Sequence, residues 1–196
     1  MREMNILITG VGGQGTLLTS RILGALACRL GRDVKVSEVH GMAQRGGSVV
    51  TYVRIGDEVA SPLIEEGGAD FMLSFELIEA LRNVHLVKKG GRVIVSTQQI
   101  APMTVVTGAA QYPDDVLSRL RASGVAVDAV DALGLARQAG SIRAVNTVML
   151  GRMARLTGIS RQTWFDAVGE CLPPGTYEVN RAAFDAGYNL RIEGDS

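Results

Sequence analysis

The sequence predicts a three-layer α/β/α sandwich, with a mostly parallel, mixed sheet and a helical C-terminal cap. Three observations predict it. Short apolar runs alternate with helix-period stretches through residues 4–130, the pattern of strands joined by crossover helices. The first run ends in Gly-Val-Gly-Gly-Gln-Gly at 10–15 and passes straight into a helical pattern. That order of strand, glycine turn and helix is what a phosphate-binding βα turn requires. The last third of the chain reads as helix after helix. A length of 196 residues suits one well-buried domain, 1–196, better than two independent cores.

Met4–Thr9 reads as a buried strand and Gln14–Leu30 as a helix, with Leu18, Ile22, Ala25 and Leu26 on one face. Gly31 is a helix stop, and Asp33–Ser37 is the expected second parallel strand. Ser48–Ile55 is rich in β-branched residues, and Gly56-Asp57 followed by Glu58–Ser61 gives a hairpin-like signal, so a return strand should make the sheet mixed. Asp70–Phe75 is a further strand, Glu76–Val87 a helix and Arg92–Ser96 a core strand. The loose stretch Gln98–Tyr112 holds Pro102 and reads as a loop with short strands. Pro113–Ser123 is the next helix and Val125–Val130 the last strand, before helices over Asp131–Gln138, Ala144–Leu156, Arg161–Cys171 and Tyr177–Leu190. Two prolines and Gly175 separate the final pair.

Composition narrows the function. Twenty basic side chains balance twenty acidic ones, so no global field favours nucleic acid or an anionic membrane, and any anion recognition must be local. Aromatic residues make up only 5%, too few for a base-stacking platform. Cys28 and Cys171 are the two cysteines; they cannot build an iron–sulfur cluster or a structural zinc site alone, and they do not suggest a secreted disulfide scaffold. Arg2 and Glu3 lead directly into a strand rather than a signal peptide, and no apolar run approaches the roughly 20 residues of a membrane span. The expected compartment is the cytoplasm.

Gly10, Gly12 and Gly15 fit the G-x-G-x-x-G spacing of a Rossmann-like turn. The first glycine permits the turn, the second lets backbone approach a phosphate, and the third lets the helix pack closely on the strand. The amides around Gly13, Gln14, Gly15 and Thr16 would then face the anion. Glu38 lies near where an acidic residue takes a ribose hydroxyl in a nicotinamide-binding unit, which keeps a stand-alone NAD-binding oxidoreductase open. Against it, Tyr52, Tyr112, Tyr177 and Tyr188 have no catalytic context, and Glu38 continues into His40, Gly41, Gln44, Arg45, Gly46 and Gly47 rather than toward an adenine pocket. A nucleotide-responsive binding module is a second alternative. Arg45 beside Gly46 and Gly47 suits a phosphate or carboxylate, and His40 could donate a proton near neutral pH.

The two segments together, Gly-Val-Gly-Gly-Gln-Gly at 10–15 and Ser-Glu-Val-His-Gly-Met-Ala-Gln-Arg-Gly-Gly at 37–47, resemble the gamma-type subunit of 2-oxoacid:ferredoxin oxidoreductases. The second segment looks most like the indolepyruvate branch. Asn146 to Gly151, and Asn180 with Ala183, Phe184 and Gly187, match the family in the right order. The resemblance implies a pyruvate:ferredoxin oxidoreductase gamma-domain-like fold and a subunit rather than a complete enzyme. The family reaction oxidatively decarboxylates a 2-oxoacid with coenzyme A and passes electrons to ferredoxin. Thiamine diphosphate and iron–sulfur clusters would sit on a larger partner subunit, in keeping with the lack of a Gly-Asp-Gly thiamine motif here. Gly12–Gly15 and Arg45 could meet the phosphates of coenzyme A. Equally, the 37–47 segment could be an interface loop in which His40 and Arg45 orient a substrate carboxylate. An isolated chain could also self-associate through the surface that the partner would cover.

Other polar and aromatic residues have plainer expectations. Cys28 and Cys171 should fill core volume, and His85 should mark a surface or helix end. With two histidines, a metal site made by this chain alone is not expected. Met149, Met153 and Trp164 read as packing residues, with a partner anchor at Trp164 and Phe165 as the alternative. Asn146 and Asn180 sit in helical runs and should make caps or polar contacts.

Overall fold

The computed structural model describes residues 3–41 and 46–191. Its six strands are β1 (Met4–Val11), β2 (Asp33–His40), β3 (Ser48–Gly56), β4 (Ala69–Ser74), β5 (Val87–Ser96) and β6 (Ala126–Val130), in the sheet order β2-β3-β1-β4-β5-β6. β1, β4, β5 and β6 are parallel; β3 runs antiparallel to both of its neighbours. The helices are α1 (Thr16–Arg29), α2 (Leu77–Asn83), α3 (Met103–Val106), α4 (Val116–Ala122), α5 (Ala132–Gln138), α6 (Val145–Thr157), α7 (Arg161–Cys171) and α8 (Tyr177–Tyr188).

The period-two alternation of β1 divides the core between the two faces of the sheet. Ile6 and Ile8 pack with α1 and with the C-terminal helices α5 to α8, whereas Leu7 packs with Leu77 and Ala80 of α2 and Leu120 of α4. The expected sandwich and its helical C-terminal region are both present. Trp164, Met149 and Met153 are fully buried core residues, and the indole Nε1 of Trp164 donates to Thr157 Oγ1 at 3.0 Å.

Several expectations need correction. β2 is not a parallel neighbour of β1. It extends to His40 and forms the sheet edge, because β3 folds back between them and supplies Val53 and Ile55 to the α1 side. Glu58–Ser61 forms no strand; Val59 N–H donates instead to the Asp33 carboxylate at 2.9 Å. The helix after β4 ends at Asn83 and continues as one 3-10 turn, with His85 exposed there. Gln98–Tyr112 contains the single-turn α3 and no strand. Cys28 is exposed, on the face of α1 away from the core, and Cys171 is half-buried.

The tightest helix contact is between α6 and α8. A Cβ added to Gly151 would come within 2.1 Å of the Phe184 carbonyl oxygen, and one on Gly187 within 1.9 Å of that of Val148. Only glycine permits this backbone approach. Beside it, Thr147 Oγ1 donates to Asn180 Oδ1 at 2.6 Å, the polar contact expected of Asn180. Under α6 the buried Asp128 of β6 accepts from Arg152 Nε and from an Arg92 guanidinium nitrogen, both at 2.7 Å.

Candidate functional site

The site begins where β1 ends. α1 leaves β1 on one face of the sheet and α2 leaves β4 on the other, so the carboxyl ends of these adjacent parallel strands open a crevice. The glycine turn sits in it. Gly13 and Gly15 have φ of 103° and 87°, in the left-handed region that side chains rarely adopt. At Gly10 the restriction is space: a Cβ would meet Gln14 Oε1 at 2.8 Å and Phe75 Cβ at 3.2 Å.

Gln14 braces the turn from within. Its Oε1 accepts from Val11 N–H at 2.7 Å, and its Nε2 donates to the Phe75 carbonyl at 3.0 Å and to Gln98 Oε1 at 3.2 Å. The side chain therefore ties the turn to the exits of β4 and β5. The β1–β3 ladder also runs on into both glycine segments, since Gly12 N–H donates to Gly47 O at 2.9 Å and Gly46 N–H to Gly12 O at 3.4 Å. The two motifs singled out in the sequence are thus joined backbone to backbone. One consequence is that the Gly12 amide is already committed to Gly47, and the Gln14 amide to Val11 O at 3.1 Å. The first turn of α1 leaves its leading amides free of intrahelical partners: Thr19 N–H is the first to bond back, to Gly15 O at 3.0 Å, and no side chain caps the helix.

Two openings flank the turn. One, of about 400 Å³, lies between Gly12, Gly13 and Thr16 and the β2–β3 ribbon, where it meets Glu38, His40 and Val49. Glu38 accepts from Thr51 Oγ1 at 3.2 Å, and the His40 Nδ1 lies 3.0 Å from Gly41 O. The other, of about 340 Å³, lies between the turn and the start of α6 and is bordered by Gln98, Arg143 and Asn146. Arg143 carries no motif and stands far from the turn in sequence, so no spacing rule could have found it. Gln44 and Arg45 lie outside the described residues.

Glu76 follows Phe75 directly beyond the end of β4 and caps the start of α2. Its buried carboxylate accepts from Glu79 N–H at 2.9 Å, Ile100 N–H at 3.1 Å and the Tyr112 hydroxyl at 2.5 Å. Burial, and then the adjacent Glu76, hold the Tyr112 phenol well above its ordinary value, so it remains a donor. Glu79 in turn accepts from Ser48 Oγ, where β3 begins, and from Arg82 at 2.8 Å. These acids position backbone and loops.

Among the described residues no group of three His, Cys, Asp or Glu could hold a metal ion, and the two cysteines sit on different helices. They do not fit an iron–sulfur cluster carried by this chain. No described helix is long and apolar enough to cross a membrane.

Fold and site together define an α/β sandwich with a ligand-sized crevice at its topological switch point and no metal-binding cluster among the described residues. The chain belongs to the pyruvate ferredoxin/flavodoxin oxidoreductase family, whose pattern matches residues 5–190. It is 43% identical to the indolepyruvate oxidoreductase subunit IorB of Thermococcus kodakarensis, over 98% of each chain. It is 42% identical to the IorB subunit of Archaeoglobus fulgidus, over 98% of this chain and 97% of that one. Its fold is similar to the crystal structure of the gamma subunit of a keto/oxoacid ferredoxin oxidoreductase from Geobacter sulfurreducens PCA, with 25% identity, a TM-score of 0.70, and coverage of 94% of this chain and 96% of that one.

Proposed function

We propose that this chain is the gamma-type subunit of a cytoplasmic indolepyruvate:ferredoxin oxidoreductase, acting with a larger subunit that carries thiamine diphosphate and the iron–sulfur clusters. The observation that carries this reading is the near-full-length identity, in both directions, to indolepyruvate oxidoreductase subunits. The surface chemistry agrees with a partner at the carboxyl edge of the sheet. Leu17 and Ile142 beside the turn, and Met103 and Val106 in the connection leaving β5, are all more than half exposed. In the assembly, the crevice between the glycine turn and the 37–47 segment would help shape the substrate and coenzyme A site. A dinucleotide role draws less support, because β3 separates the strand bearing Glu38 from the strand that feeds the turn.

Anaerobic affinity purification of the tagged chain from its native cells, followed by assay of the eluate with indolepyruvate, coenzyme A and ferredoxin, tests this reading. A stoichiometric large partner and aryl-pyruvate-dependent ferredoxin reduction are expected. A chain that elutes alone with bound NAD would overturn it.

A further inference from the structure

From Val93 to Pro113 the chain carries no charged side chain, the longest such run in a sequence that is 20% charged. Residues 93–96 are buried in β5, where neutrality is expected, but none of residues 97–113 is fully buried. The tip of this excursion is apolar as well as neutral. Met103 and Val106, one turn apart on α3, are 71% and 65% exposed, and no residue of α3 belongs to either hydrophobic core. Charge depletion around an exposed methionine is the composition of an interface core, not of a solvated loop.

The excursion is also held in shape. Within it, Val106 N–H donates to Pro102 O at 3.0 Å, Thr107 N–H to Met103 O at 2.9 Å and Ala110 N–H to Thr104 O at 2.9 Å. At its base, one oxygen of the buried Glu76 carboxylate holds both ends, since Oε1 accepts from Ile100 N–H and from the Tyr112 hydroxyl. The approach to it is tied down too: Leu77 N–H donates to Gln98 O at 3.1 Å, and Gln14 Nε2 donates to Gln98 Oε1. The tip therefore stands at a fixed place on the side of the glycine turn. Ordering it on contact costs little further entropy.

We infer that residues 101–111 form a docking arm, whose Met103 and Val106 enter an uncharged, apolar groove of the larger subunit, with Glu76 as the residue that positions it. This rests on the subunit reading above. A second copy of this chain suits the arm less. One loop meeting its own copy falls short of the roughly 600–1,000 Å² per partner that a stable interface buries. A larger body covering the carboxyl edge of the sheet takes the arm as one part of a wider contact. In the ketoisovalerate oxidoreductase subunit VorA of Methanothermobacter marburgensis, 32% identical over 85% of this chain, the matched region is 32% of that chain's length, so the equivalent domain there is built into a larger body.

The complex of this chain with its larger subunit, co-purified anaerobically, would be diluted serially and its dissociation followed by mass photometry. Met103→Lys and Val106→Lys should each raise the dissociation constant by roughly 10–100-fold. The melting temperature of the isolated chain should stay that of wild type in both, because neither side chain is buried in it. Leu63 is the control: it is 60% exposed in the connection between β3 and β4, at the opposite edge of the sheet, and Leu63→Lys should leave the constant unchanged. Tyr112→Phe releases one tether of the arm and should raise the constant about threefold, but no further in Met103→Lys, where the arm no longer docks. A constant unmoved by both arm variants, or moved as much by Leu63→Lys, overturns the arm while the intact complex keeps the subunit reading. Additive losses in the double variant would overturn the positioning role of Glu76. Dimers of this chain that the arm variants split, with the complex unchanged, would make the arm a self-contact and overturn the proposal. A wild-type chain that brings down no larger subunit removes the subunit reading and the arm together.

Discussion

The glycines at 10–15 and those at 151 and 187 look alike in sequence and do opposite things. In the turn, Gly13 and Gly15 are needed for positive φ, and nothing stands within 4 Å of a Cβ placed on Gly13. Gly151 and Gly187 lie in helices, and their missing side chains are replaced by the backbone of the other helix. Gly13 keeps space open at the sheet edge, whereas Gly151 and Gly187 close it. Opening leaves the backbone of the turn accessible, while closing locks α8 onto α6. A family motif spanning both regions therefore mixes residues of the site with residues of the scaffold, and mutations separate them.

Gly187→Ala should have the largest effect on stability. A methyl group 1.9 Å from the Val148 carbonyl oxygen cannot be relieved by a rotamer, so the helices must part. We expect a loss of about 3 kcal/mol or more, which lowers the melting temperature by roughly 6–12 °C in a chain of this size. A loss under about 1 kcal/mol in chemical denaturation would show that α8 can slide, and would remove the contrast with the turn. Gly13→Ala should cost less, about 1–2 kcal/mol, since it meets backbone strain without collision. Its melting curve should sit between those of wild type and Gly187→Ala. An equal or larger loss at Gly13 would mean that the turn is as closely packed as the helix crossing.

Much of the element pattern is readable in the sequence, and the exceptions have physical causes. Arg161–Cys171 and the burial of Trp164 match the pattern reading because a helix with one apolar face depends little on its neighbours. The position of β2 did not follow from local pattern. Asp33–His40 pairs with β3 rather than β1 because β3 occupies one edge of β1 and β4 the other. The exposure of Cys28 runs against the usual burial of cysteine, and the helical period accounts for it. Cys28 follows the buried Leu26 by two positions, about 200° around the helix, which points it away from the core. The glycine turn was legible as a turn, but the hydrogen bond from Gly12 to Gly47 was not, because a ladder continuing past a strand leaves no mark in composition. Arg143 reaches the site through tertiary placement alone.

The Glu76–Tyr112 pair, just beyond the end of β4, sharpens the comparison with a polar contact. The folded chain holds the Tyr112 phenol above its ordinary value near 10, chiefly by burial and then by the Glu76 carboxylate. The folded state therefore binds this proton more tightly than the unfolded state does. The stability it contributes is complete below about pH 10 and is lost as pH rises through the folded value. Tyr112→Phe removes one donor from a carboxylate that keeps two backbone partners, so a loss of about 1 kcal/mol is expected at pH 7. That deficit should narrow steadily above pH 10 in urea denaturation. A constant deficit would place the phenol in contact with solvent rather than against Glu76.

The smallest effect, and the one of opposite sign, belongs to a third glycine. Gly24 lies within α1, where φ is helical and no heavy atom stands within 4 Å of an added Cβ. It has neither the positive φ of Gly13 nor the collision of Gly187. Alanine there should stabilise the chain by about 0.5–1 kcal/mol, through reduced freedom of the unfolded backbone and better helix propensity. If Gly24→Ala destabilised the chain instead, space alone would not predict what a glycine does here, and a neighbour absent from the described residues would have to occupy that face of α1.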